Sequence, residues 1–250
     1  MAISVLLQKE LKALFLSPLA WIIMAIVQLI VSYQFLSHIE NFLHIQNKMD
    51  LQEQALGVTD LIISPTFAGA AMVLLLISPI LTMRLISEER KNQTLALLMS
   101  APIPMYSIIL GKFLSVVLFQ VIMLLMLSLM PLSLLWGSGI DLGQMAASLL
   151  GLVLTLCAFS AAGLYISTLT AQPVVAAIGS FGLLLILWLL NWSSQGENNF
   201  NMLIYLSILS HLEPFLYGTF SSQDVIYFLL FTLFFLALAV KRLDVYRLPH

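Results

Sequence analysis

Six stretches of the chain, residues 18–37, 66–86, 107–135, 142–170, 173–192 and 223–240, are predominantly apolar and close to or beyond the length of a membrane crossing. A hydrocarbon core of about 30 Å takes about 20 helical residues. Only a helix or a closed barrel satisfies its own backbone there. Barrel strands alternate apolar and polar side chains over about ten positions, whereas runs such as Phe228–Val240 do not alternate. The expectation is therefore an all-α membrane protein, a single transmembrane domain over residues 1–250.

Composition closes the soluble alternative. The chain is 61% hydrophobic and 9% charged, against about 45–50% and about 25% in soluble domains. Ten Lys/Arg and twelve Asp/Glu are too few to cover a globular domain of this size. Lipid must be the solvent for most of the surface.

A further stretch, 200–220, is apolar but interrupted by His211, Glu213, Pro214 and Gly218. It reads as a broken helical hairpin, re-entrant or interfacial, that does not span. The basic residues support that choice. With six spans, Lys9, Lys12, Arg84, Arg90, Lys91, Lys112, Lys241, Arg242 and Arg247 share one side, and Lys48 alone falls opposite. The positive-inside tendency then puts both termini in the cytoplasm, with external loops at 38–65 and 193–222. A seventh span would move the C-terminal cluster outside.

The run 18–37 exceeds the roughly 7–15 residues of a signal-peptide core, so it reads as a retained helix. Before it, Val5, Leu6, Lys9 and Lys12 separate apolar and basic faces at helical spacing, as in a helix lying along the cytoplasmic interface. In the fourth span Ala147/Gly151, Ala158/Ala162 and Gly163/Ser167 recur at intervals of four, the spacing of close helix packing within the chain or at a subunit interface. The lone Cys157 reads as a packing residue.

Catalytic patterns are missing from the sequence. The Gly111-Lys112 pair lacks the phosphate-loop context, since Tyr106 stands where the first glycine belongs and Phe113 follows the lysine. His38, His44, His211 and His250 have no partners at metal-binding spacing and read as solvated or interfacial. No ionisable residue falls at the centre of a span, which argues against gradient coupling. Arg84 and Lys112, near span ends, are positioned to snorkel. Neither an enzyme nor a resident cofactor is expected, and any transport is powered from outside the chain.

The cytoplasmic loop 87–104 carries the remaining information. Ser87 reads as the cap of a helix with Glu88 and Glu89 in its first turn, and Thr94–Met99 as a short apolar helix ended by Ala101-Pro102. A charged helix leading into an apolar one makes a docking surface; a solvated connector is the plainer alternative.

In this loop the sequence resembles the permeases of ABC-2 type transporters. Glu88, Glu89, Thr94, Leu95, Leu97, Leu98, Ser100, Pro102, Gly111 and Lys112 follow the pattern of their acidic segment, coupling helix and following span. Asn92-Gln93 departs from it where a glycine is usual, and Ala96 where a glutamate is. Residues Leu209–Gly218 with Gln223, Asp224 and Tyr227 are similar to the gliding-motility-type subgroup. The resemblance implies a permease in the bacterial inner membrane, paired with an identical or paralogous permease. A separate ABC ATPase would dock on Glu88, Glu89, Arg90, Thr94, Leu95, Leu97, Leu98 and Pro102. His211, Glu213, Pro214 and Gly218 would form an external gate or touch an auxiliary protein with a periplasmic domain. Lipid is a partner and nucleic acid is not. A membrane scaffold and, less favoured, a gradient-driven carrier are the rival readings.

Overall fold

The computed structural model describes residues 2–48, 57–95, 104–134, 139–191 and 205–247, and among these every regular element is helical. In chain order they are α1 (Ala2–Leu16), α2 (Pro18–Lys48), a π-helical turn (Thr59–Ile63) leading directly into α3 (Ser64–Thr82), α4 (Arg84–Lys91), α5 (Met105–Ser133), α6 (Leu142–Leu169), α7 (Pro173–Leu189), α8 (Ile208–Leu216) and α9 (Ser222–Arg247). Five helical stretches are long and apolar enough to cross a membrane, namely Pro18–Ile45, Thr59–Lys91, Met105–Ser133, Leu142–Leu169 and Ser222–Tyr246. The stretch expected at 173–192 is a shorter apolar helix of 17 residues, α7, which ends in a turn at Leu190 and Asn191. At 1.5 Å per residue it measures about 25 Å.

Element boundaries outrun hydrophobicity. The helix expected to stop at residue 37 continues to Lys48, because the intrahelical hydrogen bonds of α2 do not need apolar side chains to propagate. Local signals set other ends. Pro173 opens α7, where its missing N–H costs nothing. The Asp141 carboxylate caps α6, accepting from the amides of Gly143 at 2.8 Å and Gln144 at 3.2 Å.

Helix α6 is the centre of the molecule, packed against α3, α4, α5, α7, α8 and α9. Its small residues make this possible. A Cβ on Gly163 would lie 2.1 Å from Thr82 Oγ1, and one on Gly151 would lie 2.6 Å from Phe215 Cβ. Ala158, Ala161 and Ala162 are fully buried beside them. The close approach foreseen from the four-residue spacing thus serves contacts within the chain. Midway along the helices, Gln120 donates from Nε2 to Ser78 Oγ (2.8 Å) and accepts from Ser160 Oγ (2.7 Å), joining α3, α5 and α6. Such bonds inside a membrane are worth about 0.6–2 kcal/mol each.

Helix α1 packs on the bundle. It runs beside α5 in the same sense, with Leu6 against Gly111 and the Phe15 ring 5.3 Å from that of Phe119. Its outward side carries Val5, Lys9, Lys12 and Leu16, so Val5 shares a stripe with the two lysines instead of lying on a separate apolar face.

Candidate functional site

Contacts sort the helices into two ends. At one end, called here the basic end, α1, α4, the start of α5, the end of α6 and the end of α9 converge; at the opposite end, the π-helical turn, the start of α6, α8 and the start of α9 meet.

The basic end is organised around α4. Its approach is unusual: α3 contains Pro79 and turns at Met83 before α4 begins. The Ser167 hydroxyl of α6 enters this break. Its oxygen accepts from the amides of Ile86 (3.2 Å) and Ser87 (3.1 Å), and its proton goes to the Met83 carbonyl at 3.0 Å. A side chain inserted into the helical ladder is a recognised cause of a bend.

Ser87 therefore does not cap a helix. It is fully buried in the middle of α4, with its hydroxyl donating back to Met83 O. The expectation failed because α3 runs almost unbroken into α4 and supplies upstream carbonyls, leaving no free helix start at Ser87. Glu88 and Glu89 fall in the second half of α4, and Arg90 and Lys91 occupy its last turn, where cations favour the dipole.

Lys112 is also placed otherwise than expected. Its side chain is 2% exposed, with Nζ 2.9 Å from Glu10 Oε1 and 2.8 Å from Glu89 Oε1. One ammonium thus ties α1, α4 and α5 together. A snorkelling lysine needs open water nearby, and Glu10 and Glu89 close over this one. Arg90 makes the complementary link. It donates to the carbonyls of Thr168 and Leu169 at the end of α6, both at 3.4 Å, and to the Tyr246 hydroxyl, while its guanidinium lies 4.5 Å from the centre of the Tyr246 ring. The orphan carbonyls of a helix C-terminus are natural partners for a cation.

Of the predicted coupling residues, Glu88 and Thr94 are exposed, Glu89 and Arg90 are half-buried, and Leu95 is buried. Leu97, Leu98 and Pro102 lie outside the described residues, as does most of the apolar segment Thr94–Met99. After α4 the chain reverses at Gln93, whose φ is 58°. Thr94 N–H donates to Glu89 O (3.0 Å) and Gln93 N–H to Arg90 O (3.3 Å). This is the Schellman pattern with a left-handed residue that glycine fills best, so the departure from the family's glycine falls on the position that would prefer one.

At the opposite end, α8 is a short helix with Ile208, Leu212 and Phe215 fully buried, and Pro214 sits within it. Gly218, at φ 77°, ends it in the same Schellman geometry, with Thr219 N–H to Pro214 O (2.9 Å) and Gly218 N–H to Phe215 O (3.1 Å). The last carbonyls of α8 are satisfied by neighbours. Ser64 Oγ donates to Leu216 O at 2.7 Å, and Ser148 Oγ to Phe215 O at 3.2 Å. The Gln144 amide donates to Asp60 Oδ1 at 2.8 Å and to Leu216 O at 3.1 Å. Glu213 is exposed.

His211, read as solvated or interfacial, is not solvated. It is 7% exposed, with Nδ1 2.6 Å from Asp224 Oδ1 and Nε2 3.0 Å from the Tyr205 carbonyl. The two ring nitrogens thus bridge the Asp224 carboxylate and the Tyr205 carbonyl. The ring stacks on Tyr227 at 3.9 Å, whose hydroxyl donates to Leu206 O at 2.8 Å. Asp224 and Tyr227, named in the sequence only as part of a subgroup pattern, thus bind α8 to α9. Glu10 and Ser167 were missed as site residues altogether. The only signal for Glu10 was a lone acid among the basic residues before the first span.

Together these features define a multi-pass helical membrane protein in which a charged helix is clamped by salt bridges and backbone-directed bonds to the ends of the long helices. No curated protein matches the chain. The profile of the ABC-2 family transporter protein matches residues 4–244, and the chain belongs to that family. Members are transmembrane permeases that in general work with an ABC ATPase.

Proposed function

We propose that this chain is the permease subunit of an ATP-binding cassette transporter, that it crosses the bacterial inner membrane six times, and that it forms the translocation pathway with a second permease copy or paralogue. The observation that carries the reading is α4: a charged helix at the basic end, locked through Lys112, Arg90 and Ser167 to α1, α5, α6 and α9. A surface so braced transmits a push from a docked ATPase instead of absorbing it. Glu88, Glu89, Arg90, Thr94 and Leu95, with Leu97, Leu98 and Pro102 beyond, form that docking surface. ATP is hydrolysed in the partner, and this chain holds no cofactor of its own.

Six crossings with cytoplasmic termini are supported by the path of the chain. It leaves the basic end after Leu169, which touches Arg90, and reaches the opposite end by Leu216, which touches Ser64. Helix α7 lies between. The gliding-motility-type subgroup is supported by the meeting of its pattern residues His211, Asp224 and Tyr227 in one cluster. At that end α8 would gate the pathway or receive a periplasmic partner.

Purification of the chain from its native membrane in mild detergent should recover an ABC ATPase, and replacing Glu88, Glu89 and Leu95 with alanine should abolish recovery. Unchanged assembly would refute the docking surface. In a Cys157→Ser background, Tyr205→Cys and Tyr217→Cys, both at exposed positions, should react with impermeant reagents from the outside of the cell. Labelling from the cytoplasm alone would exclude six spans.

A further inference from the structure

A cavity of about 320 Å³ opens beside Lys112 between α1, the start of α2, and the α3–α4 line. That volume is at the lower end of small-ligand sites. One part of its wall is apolar, from Leu19, Ala20, Ile80 and Leu81; another part is polar, from Arg84, Glu88, Glu89 and Asn92. Ile80 and Glu88 are eight residues apart on one nearly continuous helical line, about 12 Å. The cavity therefore grades from apolar, on the side of the spanning helix α3, to polar at the basic end.

The charges are unbalanced. Glu10, Glu88 and Glu89 face Arg84 and Lys112, three carboxylates against two cations, a net charge of −1. Lys112 is already committed to Oε1 of both Glu10 and Glu89, and Glu89 Oε2 is buried without a hydrogen-bond partner among the described residues. A buried carboxylate oxygen left unpaired is costly, so a donor belongs there. An ionised oxygen with the exposed carboxylate of Glu88 on the same wall favours a charged donor, an ammonium, over a neutral one. Arg84, exposed and lining the same cavity, calls for an anion on the same molecule, and the apolar wall calls for hydrocarbon.

We propose that this cavity binds the headgroup of a phospholipid carrying a primary ammonium. The ammonium donates to Glu89 Oε2 and Glu88, the phosphate accepts from Arg84, and the first part of an acyl chain lies along Leu19, Ile80 and Leu81. A basic side chain from a docked ATPase would answer the carboxylates, but it would leave Arg84 and the apolar wall without a use. The proposal does not depend on ATPase coupling, and lipid retention is measured on the permease alone.

The full-length chain, purified from nanodiscs of phosphatidylethanolamine, phosphatidylcholine or phosphatidylglycerol with identical acyl chains, is released into the gas phase and its retained lipid counted by native mass spectrometry. One phosphatidylethanolamine per chain is expected. Phosphatidylcholine, whose trimethylated nitrogen has no N–H to donate, and phosphatidylglycerol, which has no cation, should be retained at least about tenfold less, the effect of losing one charge-assisted hydrogen bond. Glu89→Gln preserves an acceptor for Lys112 and should lower phosphatidylethanolamine retention by a similar factor. Glu88→Gln, on an exposed residue, and Arg84→Gln provide the same test should Glu89→Gln fold poorly. Equal retention of the different lipids, or retention unaffected by these substitutions, overturns the proposal. So does a Glu89→Gln variant that loses ATPase recovery yet keeps its lipid, since the cavity would then belong to the partner's basic side chain.

Discussion

Replacing Lys112 with methionine tests the clamp at its centre. The ammonium lies 2.9 Å and 2.8 Å from its two carboxylate partners, whose side chains are only 18% and 21% exposed. At an effective dielectric of about 20, unit charges at such distances attract by about 6 kcal/mol per contact. Two corrections reduce this sharply. Each buried ion forfeits several kcal/mol of hydration, and the two carboxylate oxygens, at most the sum of 2.9 and 2.8 Å apart, repel each other by at least about 3 kcal/mol at that dielectric. The assembled trio is thus worth little net, yet taking out its cation leaves the repulsion and the hydration loss uncompensated. Removing one partner of a buried ion pair costs about 3–5 kcal/mol, and Lys112→Met should destabilise the chain by that amount in equilibrium unfolding in mixed micelles. The triple variant Lys112→Met, Glu10→Gln, Glu89→Gln removes the stranded charges as well and should regain more than half of the loss. A single variant within about 1 kcal/mol of the parent, or a triple variant no better than the single, would refute the reasoning.

Gln93→Gly should stabilise the chain by about 0.5–1 kcal/mol, since a left-handed residue without a Cβ escapes a steric penalty; Gln93→Val, branched at a φ of 58°, should do the reverse, and thermal unfolding reads both. Gly163→Ala should cost about 1–3 kcal/mol by overpacking, because its new Cβ would meet Thr82 Oγ1 at 2.1 Å. Adding Thr82→Ala to it should recover part of that loss in a double-mutant cycle.

Much of the architecture could be read from hydrophobicity, because a lipid-facing helix writes its length as an apolar run. Helix ends were less legible. Residues 38–48 carry Glu40 and His44, polar enough to end the hydrophobic signal, yet α2 continues through them. Ser87 followed by Glu88 and Glu89 has the local chemistry of a helix start, and nothing within that window reveals that α3 already supplies the upstream carbonyls. The break before the last long helix was legible, since Pro214 and Gly218 leave local marks: Pro214 lies within α8 and Gly218 ends it. Its burial was not. His211 meets Asp224 only because α8 folds onto α9, and Lys112 meets Glu10 across 102 positions of sequence. Such pairings depend on which faces the folded bundle brings together, and charge type alone does not encode that.

Helix α6 joins both ends of the molecule in one piece. At one end Ser167 fills the break between α3 and α4, and at the other Ser148 and Gln144 hold the carbonyls that close α8. Its 28 residues make a rod about 40 Å long. Leverage applied at α4 therefore arrives at α8 without an intervening loop to soften it. The two ends share an axle, and one cannot be displaced along it unless the other follows or a named set of hydrogen bonds gives way.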